Sequence, residues 1–129
     1  MSMEIIKPDR MRAGPPDRPQ YFSGTVLMQP LHTEQPPGSP EIVAVFFEPG
    51  ARTVPHVHST DQVLYFTEGE GLVVTGQQRR TLRAGEIAVI PGGIWHWHGA
   101  TKSKGTVHVS IKAAGPTDWE VEKKDWENY

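Results

Sequence analysis

The sequence predicts an all-β chain, a sandwich or a barrel, folded as one domain. Three observations carry this. Short apolar runs recur with turn signals every 8 to 12 residues. Thirteen glycines and twelve prolines fall between those runs, where they punctuate strands and turns. No helical periodicity appears before the C-terminal tail. At 129 residues the chain is long enough to bury a core of its own, so one domain is expected.

The elements follow in order. Residues 1–20 are polar and proline-rich and read as an arm, with a short strand at 4–7. The barrel is expected over residues 21–115. "GTVLMQPL" (24–31) is a strand, and "HTEQPPGSP" (32–40) is a loop with three prolines and a glycine. "EIVAVFFEPG" (41–50) is a strand apolar on both faces, ended by Glu48-Pro49-Gly50. Short strands follow at 54–58, 62–67, 71–75, 79–83, 86–91, 94–98 and 105–112, separated by "TEGEG", "TGQQ", "RAGE" and "PGG". The tail, 116–129, has two readings. Thr117 with Glu120 forms a capping box that starts a short helix, or the segment covers the barrel in extended form with Trp119, Trp126 and Tyr129.

Composition removes several classes. The chain has no cysteine, so disulfides, thiolate metal sites and a cysteine nucleophile are excluded. This agrees with a cytoplasmic protein. The net charge of −2, with both signs interspersed, gives no nucleic-acid footprint and no attraction to an anionic membrane. The first twenty residues contain no apolar h-region, and the longest apolar run, "IVAVFF" at 42–47, is too short to span a bilayer.

Two segments carry chemistry. In "PHVHSTDQ" (55–62), His56 and His58 share one face of an extended strand, with Gln62 four residues on. Alone, this is half of a metal site or an ordinary polar strand face. The second segment runs from Gly85 through Pro91-Gly92-Gly93 to His96. The two together, Gly50 to Gly69 and Gly85 to His96, resemble the paired motifs of the cupin superfamily over residues 41–112, with Gln62 where that family usually has glutamate. The resemblance implies a double-stranded β-helix, the jelly-roll cupin barrel. It also implies one divalent metal held by His56, His58, Gln62 and His96. Imidazole suits Mn, Fe, Ni, Cu and Zn. Three neutral imidazoles and a neutral amide leave the full 2+ charge in place, which strengthens a Lewis acid and favours anionic ligands.

Within that superfamily the chain is similar to the small bacterial manganese-dependent hydroxynitrile lyases. The shared texture includes "FSGTV", "FEPGARTVPHVHSTDQ", "PGGIWHWHGA", "HVSI" and the Trp119–Tyr129 tail. This likeness implies manganese first, with iron, nickel or zinc as other candidates, and places two further active-site histidines at His98 and His108. Residues around the pocket, notably Val54, Val57, Ser59 and Thr60, depart from that family and leave substrate preference open. The implied reaction cleaves a cyanohydrin to a carbonyl compound and cyanide. One of the two histidines is the general base. A second histidine, or a polar pocket without lysine, holds or protonates the cyanide. Two rivals stand beside it: a metal-dependent dioxygenase of a small organic substrate, and a non-catalytic metal- or ligand-binding module.

Strand parity places His98 on the face of His96, looking into the barrel. In "TVHVSI", an inward His108 turns Val107, Val109 and Ile111 outward, and such an apolar sheet face predicts a homodimer packed through sheets. Trp95 and Trp97 lie opposite the histidines and are read as packing residues. Thr53, Val54, Leu64, Phe66, Phe46 and Ala44 are candidate cavity-lining residues for a small-molecule substrate. The 32–40 loop is expected to gate the mouth, and His32 to be solvated.

Overall fold

The computed structural model describes residues 2–33 and 36–129. Eleven strands run in chain order: β1 Phe22–Ser23, β2 Val26–His32, β3 Pro40–Phe47, β4 Arg52–Thr53, β5 Val57–His58, β6 Gln62–Thr75, β7 Arg79–Arg83, β8 Ile87–Ile90, β9 His96–Ala100, β10 Thr106–Ala113 and β11 Thr117–Asp118. The pairings are antiparallel. One sheet has the order β2-β3-β10-β6-β8 and the other β1-β4-β9-β6-β7. The strand β6 is shared: its first half pairs with β10 and β8, its second with β9 and β7. Two sheets wrapped face to face by one shared strand form the expected jelly-roll barrel.

That shared strand corrects the sequence reading. The "TEGEG" stretch was expected as a turn between strands at 62–67 and 71–75, yet β6 runs through it. Against β10, Val107 opposes Glu68 while His108 opposes Phe66, so Thr67 is an extra residue in the ladder. Gly69 takes φ +73°, and its backbone lies against the Gly105 carbonyl. A bulge with a left-handed glycine bends a strand without ending it, and this bend carries β6 from one sheet to the other.

Other differences are local. Residues 4–7 form no strand and are mostly exposed. The arm is instead held further on, where Gly14 and Met28 exchange backbone hydrogen bonds of 3.0 and 2.7 Å. Of the strand expected at 54–58 only Val57–His58 forms, as β5, with His56 in an isolated bridge to His96; β4 lies before it at Arg52–Thr53. The tail takes the extended reading: β11 pairs with β5, and a single 3-10 turn closes the chain at Trp126–Asn128. Two residues of the 32–40 loop, Glu34 and Gln35, lie outside the described residues.

Three apolar layers surround the barrel wall. Inside, Val26, Val45, Phe47, Ala51 and Ala100 form one cluster, and Leu64, Phe66, Val73, Leu82 and Ile90 another. Outside the first sheet, Ala44, Phe46 and Val107 are covered by Ala13 of the arm with Leu27 and Leu31. Outside the second, the tail lays Trp126 over Val54, Leu72, Val74 and Trp97. Val54, Phe46 and Ala44 therefore face away from the cavity they were expected to line. Because β3 is apolar on both faces, its alternation could not say which side is in. Its register decides: Val45 sits opposite His108 and Phe47 opposite Thr106. Thr53, Leu64 and Phe66 do face inward, Thr53 meeting the His98 backbone.

Candidate metal centre

Two backbone bonds bring the motif segments together. The His56 N–H donates to the His96 carbonyl at 2.9 Å, and the His96 N–H donates to the His56 carbonyl at 3.1 Å. The "PGG" turn is tied to the other loop by Gly93 N–H to the His58 carbonyl (2.9 Å) and Gly92 N–H to Asp61 Oδ1 (3.0 Å). A side chain on Gly92 would strike the Ser59 backbone, so the turn needs a residue without one.

The result is a cluster of three buried imidazoles. One ring nitrogen from each of His56, His58 and His96 lies within 4.8 Å of the others. Each ring is held from behind. His56 Nδ1 meets the Val54 carbonyl at 2.7 Å and His96 Nδ1 the Ile94 carbonyl at 2.9 Å. A carbonyl only accepts, so these Nδ1 atoms carry the protons and each Nε2 presents a lone pair. His58 Nδ1 bonds the Thr117 hydroxyl at 2.9 Å, and its Nε2 is buried without a partner. Gln62 Oε1 lies 3.2 Å from His96 Nε2, while the amide nitrogen donates to Ser110 Oγ at 2.9 Å. Two lone-pair atoms at this spacing, beside an orphaned imidazole nitrogen, are satisfied together by a cation. These residues fit a divalent metal.

The surroundings keep the rings neutral. Burial pushes His56 well below the ordinary imidazole value, helped by the neighbouring His96. His58 falls to about 4 through burial, then through the charges of His96 and Lys112. His96 is also lowered by burial. Neutral imidazole is the ligating form, so this environment prepares the cluster for a cation.

Behind the cluster stands a second pair. His98 follows His96 on β9 with the same face inward, its ring centroid 5.5 Å from that of His56 and 5.7 Å from that of His96. His108 Nε2 and His98 Nδ1 are 3.1 Å apart and share a proton. His108 is fully buried between Phe47 and Phe66, with ring centroids 5.2 Å away on each side. Burial drops it to about 3, and drops His98 well below its usual value, with the His108 charge adding to the effect. His32, expected to be solvated, ends β2 half-buried, bonded to Glu4 at 2.7 Å and Ser39 at 3.1 Å. Trp97 is buried on the outer face, as its parity predicted.

A cavity of about 490 Å³ opens beside the cluster, lined by Tyr21, Phe22, Met28, Glu41, Thr117 and Trp119 among others. Two of these touch the imidazoles directly: Thr117 bonds His58, and the Trp119 ring lies over His56 at 4.2 Å. Among the described residues, none of 32–40 lines this cavity. Sequence reasoning missed Thr117 and Trp119, since nothing in the tail's pattern shows where β11 attaches. It also missed Lys112, although the parity of Thr106, His108 and Ser110 extends to that residue. The lysine-free pocket is a correction: Lys112 stands near enough to His58 to act on its charge.

A jelly-roll barrel with three buried histidines converging inside it, an arrangement that could hold a metal, defines a β-barrel protein of the double-stranded β-helix class. The chain belongs to the cupin family, whose domain profile matches residues 43–112. It is 35% identical over 100 residues to the (R)-mandelonitrile lyase of Granulicella tundricola, covering 77% of this chain and 74% of that protein. A cupin-like protein of Thermotoga maritima is 32% identical, with a TM-score of 0.82, covering 93% of this chain and 94% of that one. The polyketide cyclase RemF of Streptomyces resistomycificus shares the fold at 17% identity, with a TM-score of 0.66 over 81% of this chain and 79% of that one. Among the described residues, no helix is long and apolar enough to cross a membrane.

Proposed function

We propose that this cupin is a metal-dependent lyase of small α-hydroxy compounds that cleaves a cyanohydrin to a carbonyl compound and cyanide. The likeness to a mandelonitrile lyase supports the reaction class. The observation that carries it is the buried His98–His108 pair directly behind the three-histidine cluster. A module that only binds metal has no need of a second, proton-sharing pair of neutral imidazoles.

His56, His58 and His96 would hold the ion, with Gln62 Oε1 as the fourth protein ligand, and manganese is the favoured metal. When bound, the ion supplies Lewis acidity that lowers the pKa of a hydroxyl beside it. His98 then takes the hydroxyl proton. The carbon–carbon bond breaks with its electron pair leaving on cyanide, a C=O bond forms, and His98 returns the proton to cyanide. His108, locked between two phenylalanine rings, fixes the tautomer and ring plane of His98 and lends or receives a proton across their shared bond. Trp119 and Tyr21, stacked 4.2 Å apart, wall the cavity and exclude water from one side.

Metal-loaded protein should release cyanide from mandelonitrile at the same rate with and without oxygen. His98→Ala should lose about 100-fold or more of that rate while keeping its metal. Undiminished release in His98→Ala and in His108→Ala would refute the role given to the pair. Oxygen consumption with a diketone would move the chain to the dioxygenases.

A further inference from the structure

On β10 the inward face reads Thr106, His108, Ser110 and Lys112, and the last of these is unaccounted for by the chemistry above. Its register partners are Gln62 on β6 and Glu41 on β3. One cross-strand row thus holds an amide beside the metal cluster, an ammonium and a carboxylate. Lys112 Nζ bonds Glu41 Oε2 at 2.8 Å, with the lysine side chain 16% and the glutamate side chain 32% exposed. Glu41 lines the 490 Å³ cavity beside Met28 and Phe22. Arg18 lines it as well, from the exposed arm.

A charge pair partly withdrawn from water contributes little net stability, since desolvation offsets much of its attraction. Its position, at the junction of cavity and metal cluster, calls for a use. Three neutral imidazoles and a neutral amide put no negative charge against a divalent ion, so the only carboxylate in this row is the one already held by Lys112. An incoming anion would find the ion on one side and an ammonium on the other. Nζ donates to Glu41 Oε2 at 2.8 Å and, more weakly, to the Ala113 carbonyl at 3.4 Å, and among the described residues it reaches no other side chain, so the anion needs to compete with Glu41 alone for the ammonium's charge.

We infer that Lys112 is a specificity-determining residue that reads a carboxylate on the ligand, so that among the small hydroxy compounds this site takes, those carrying a carboxylate bind more tightly than their neutral counterparts. Glu41 holds the lysine in place while the cavity is empty and yields it when the carboxylate arrives. This rests on the proposed reading that substrate binds at the metal cluster. It narrows the substrate class without requiring that the bond cleaved be the one to cyanide.

The test uses the manganese-loaded 129-residue chain and two probes that differ chiefly in charge, mandelate and its neutral amide, mandelamide, with dissociation constants measured by calorimetry. Wild type should prefer mandelate. Lys112→Met should weaken mandelate about 10-fold or more and leave mandelamide within about 2-fold, the loss expected for one charge-assisted hydrogen bond. Glu41→Gln should move the other way and tighten mandelate. The double variant Lys112→Met/Glu41→Gln separates a missing lysine from a leftover carboxylate: it should bind mandelate about 10-fold or more weaker than Glu41→Gln alone. Equal loss for both probes in Lys112→Met, or no change for either, overturns the assignment, as does a Glu41→Gln variant that weakens mandelate. Cyanide release from mandelonitrile is measured alongside. Its absence with charge discrimination intact removes the lyase reading and leaves Lys112 its role; its presence without discrimination does the reverse.

Discussion

His58 shows how one residue joins ligand chemistry to stability. Its Nδ1 is anchored on Thr117 and its Nε2 has no protein partner, so the ring is useful only when neutral and near a cation. The same holds for the buried set as a whole, and it has a cost in acid. In the metal-free protein the folded values are depressed, to about 4 for His58 and about 3 for His108, while an unfolded imidazole titrates near 6.5. The unfolded chain therefore binds protons first as pH falls. Stability should be complete above about pH 6.5 and should decline from there down toward the folded values, by roughly 1.4 kcal/mol per pH unit for each such histidine. Urea midpoints of metal-free protein at pH 7.5, 6.5 and 5.5 would check this, and a flat profile would show that the rings are not buried neutral. The ligand histidines could be read from the sequence because i, i+2 spacing fixes a shared face whatever lies around it. Lys112 was also readable by parity, but a lysine at a strand end normally reaches solvent, so its inward position had no local signal.

At the scale of the element, β6 decides the architecture. Its two halves serve two sheets, and glycines permit the passage between them. Gly71 lies under the Phe66 ring so closely that a methyl there would overlap it. Gly71→Ala should cost about 1–3 kcal/mol by overpacking, read as a lowered urea midpoint with an unchanged slope. Phe66→Leu added to it should recover part of the loss, and strictly additive losses would show that the two residues do not share the space. This element was half legible. The apolar runs at 63–66 and 72–74 marked both halves, but "TEGEG" carries the composition of a turn. Only a partner strand, β10, shows that the extra residue is a bulge. The tail posed the opposite difficulty: Trp119 and Trp126 suggest packing, but which wall they meet depends on β11 finding β5.

For the whole molecule the outstanding feature is the outer face of the first sheet. Two cross-strand rows run over it: Ala44, Val109, Tyr65 and Ile87, then Ile42, Ile111, Val63 and Val89. The arm covers Phe46 and Val107 at one side but leaves Tyr65, Ile87 and Val89 exposed at 41, 58 and 62%. The rows lie on four adjacent strands, and we propose that a second copy packs over them sheet to sheet; of the residues in "TVHVSI" that suggested this, Val109 and Ile111 lie in the rows while Val107 is already covered within the chain. Light scattering should find a dimer for the wild type and a monomer for Ile87→Glu/Val89→Lys, with the metal content of the three-histidine cluster unchanged. A wild type that is monomeric at high concentration would sink the proposal. The fold itself was legible because its turn signals are spaced along the whole chain, whereas the choice of inner and outer wall was not, since β3 is apolar on both sides.

The tail has one more consequence, for the order of events in synthesis. His56 and His58 leave the ribosome long before Thr117 and Trp119, the two side chains that brace them. Until those late residues emerge, His58 Nδ1 lacks its hydroxyl partner and His56 lacks the ring that lies over it. A chain cut before Thr117 should therefore hold a divalent ion less tightly than the 129-residue chain, read as a raised metal dissociation constant.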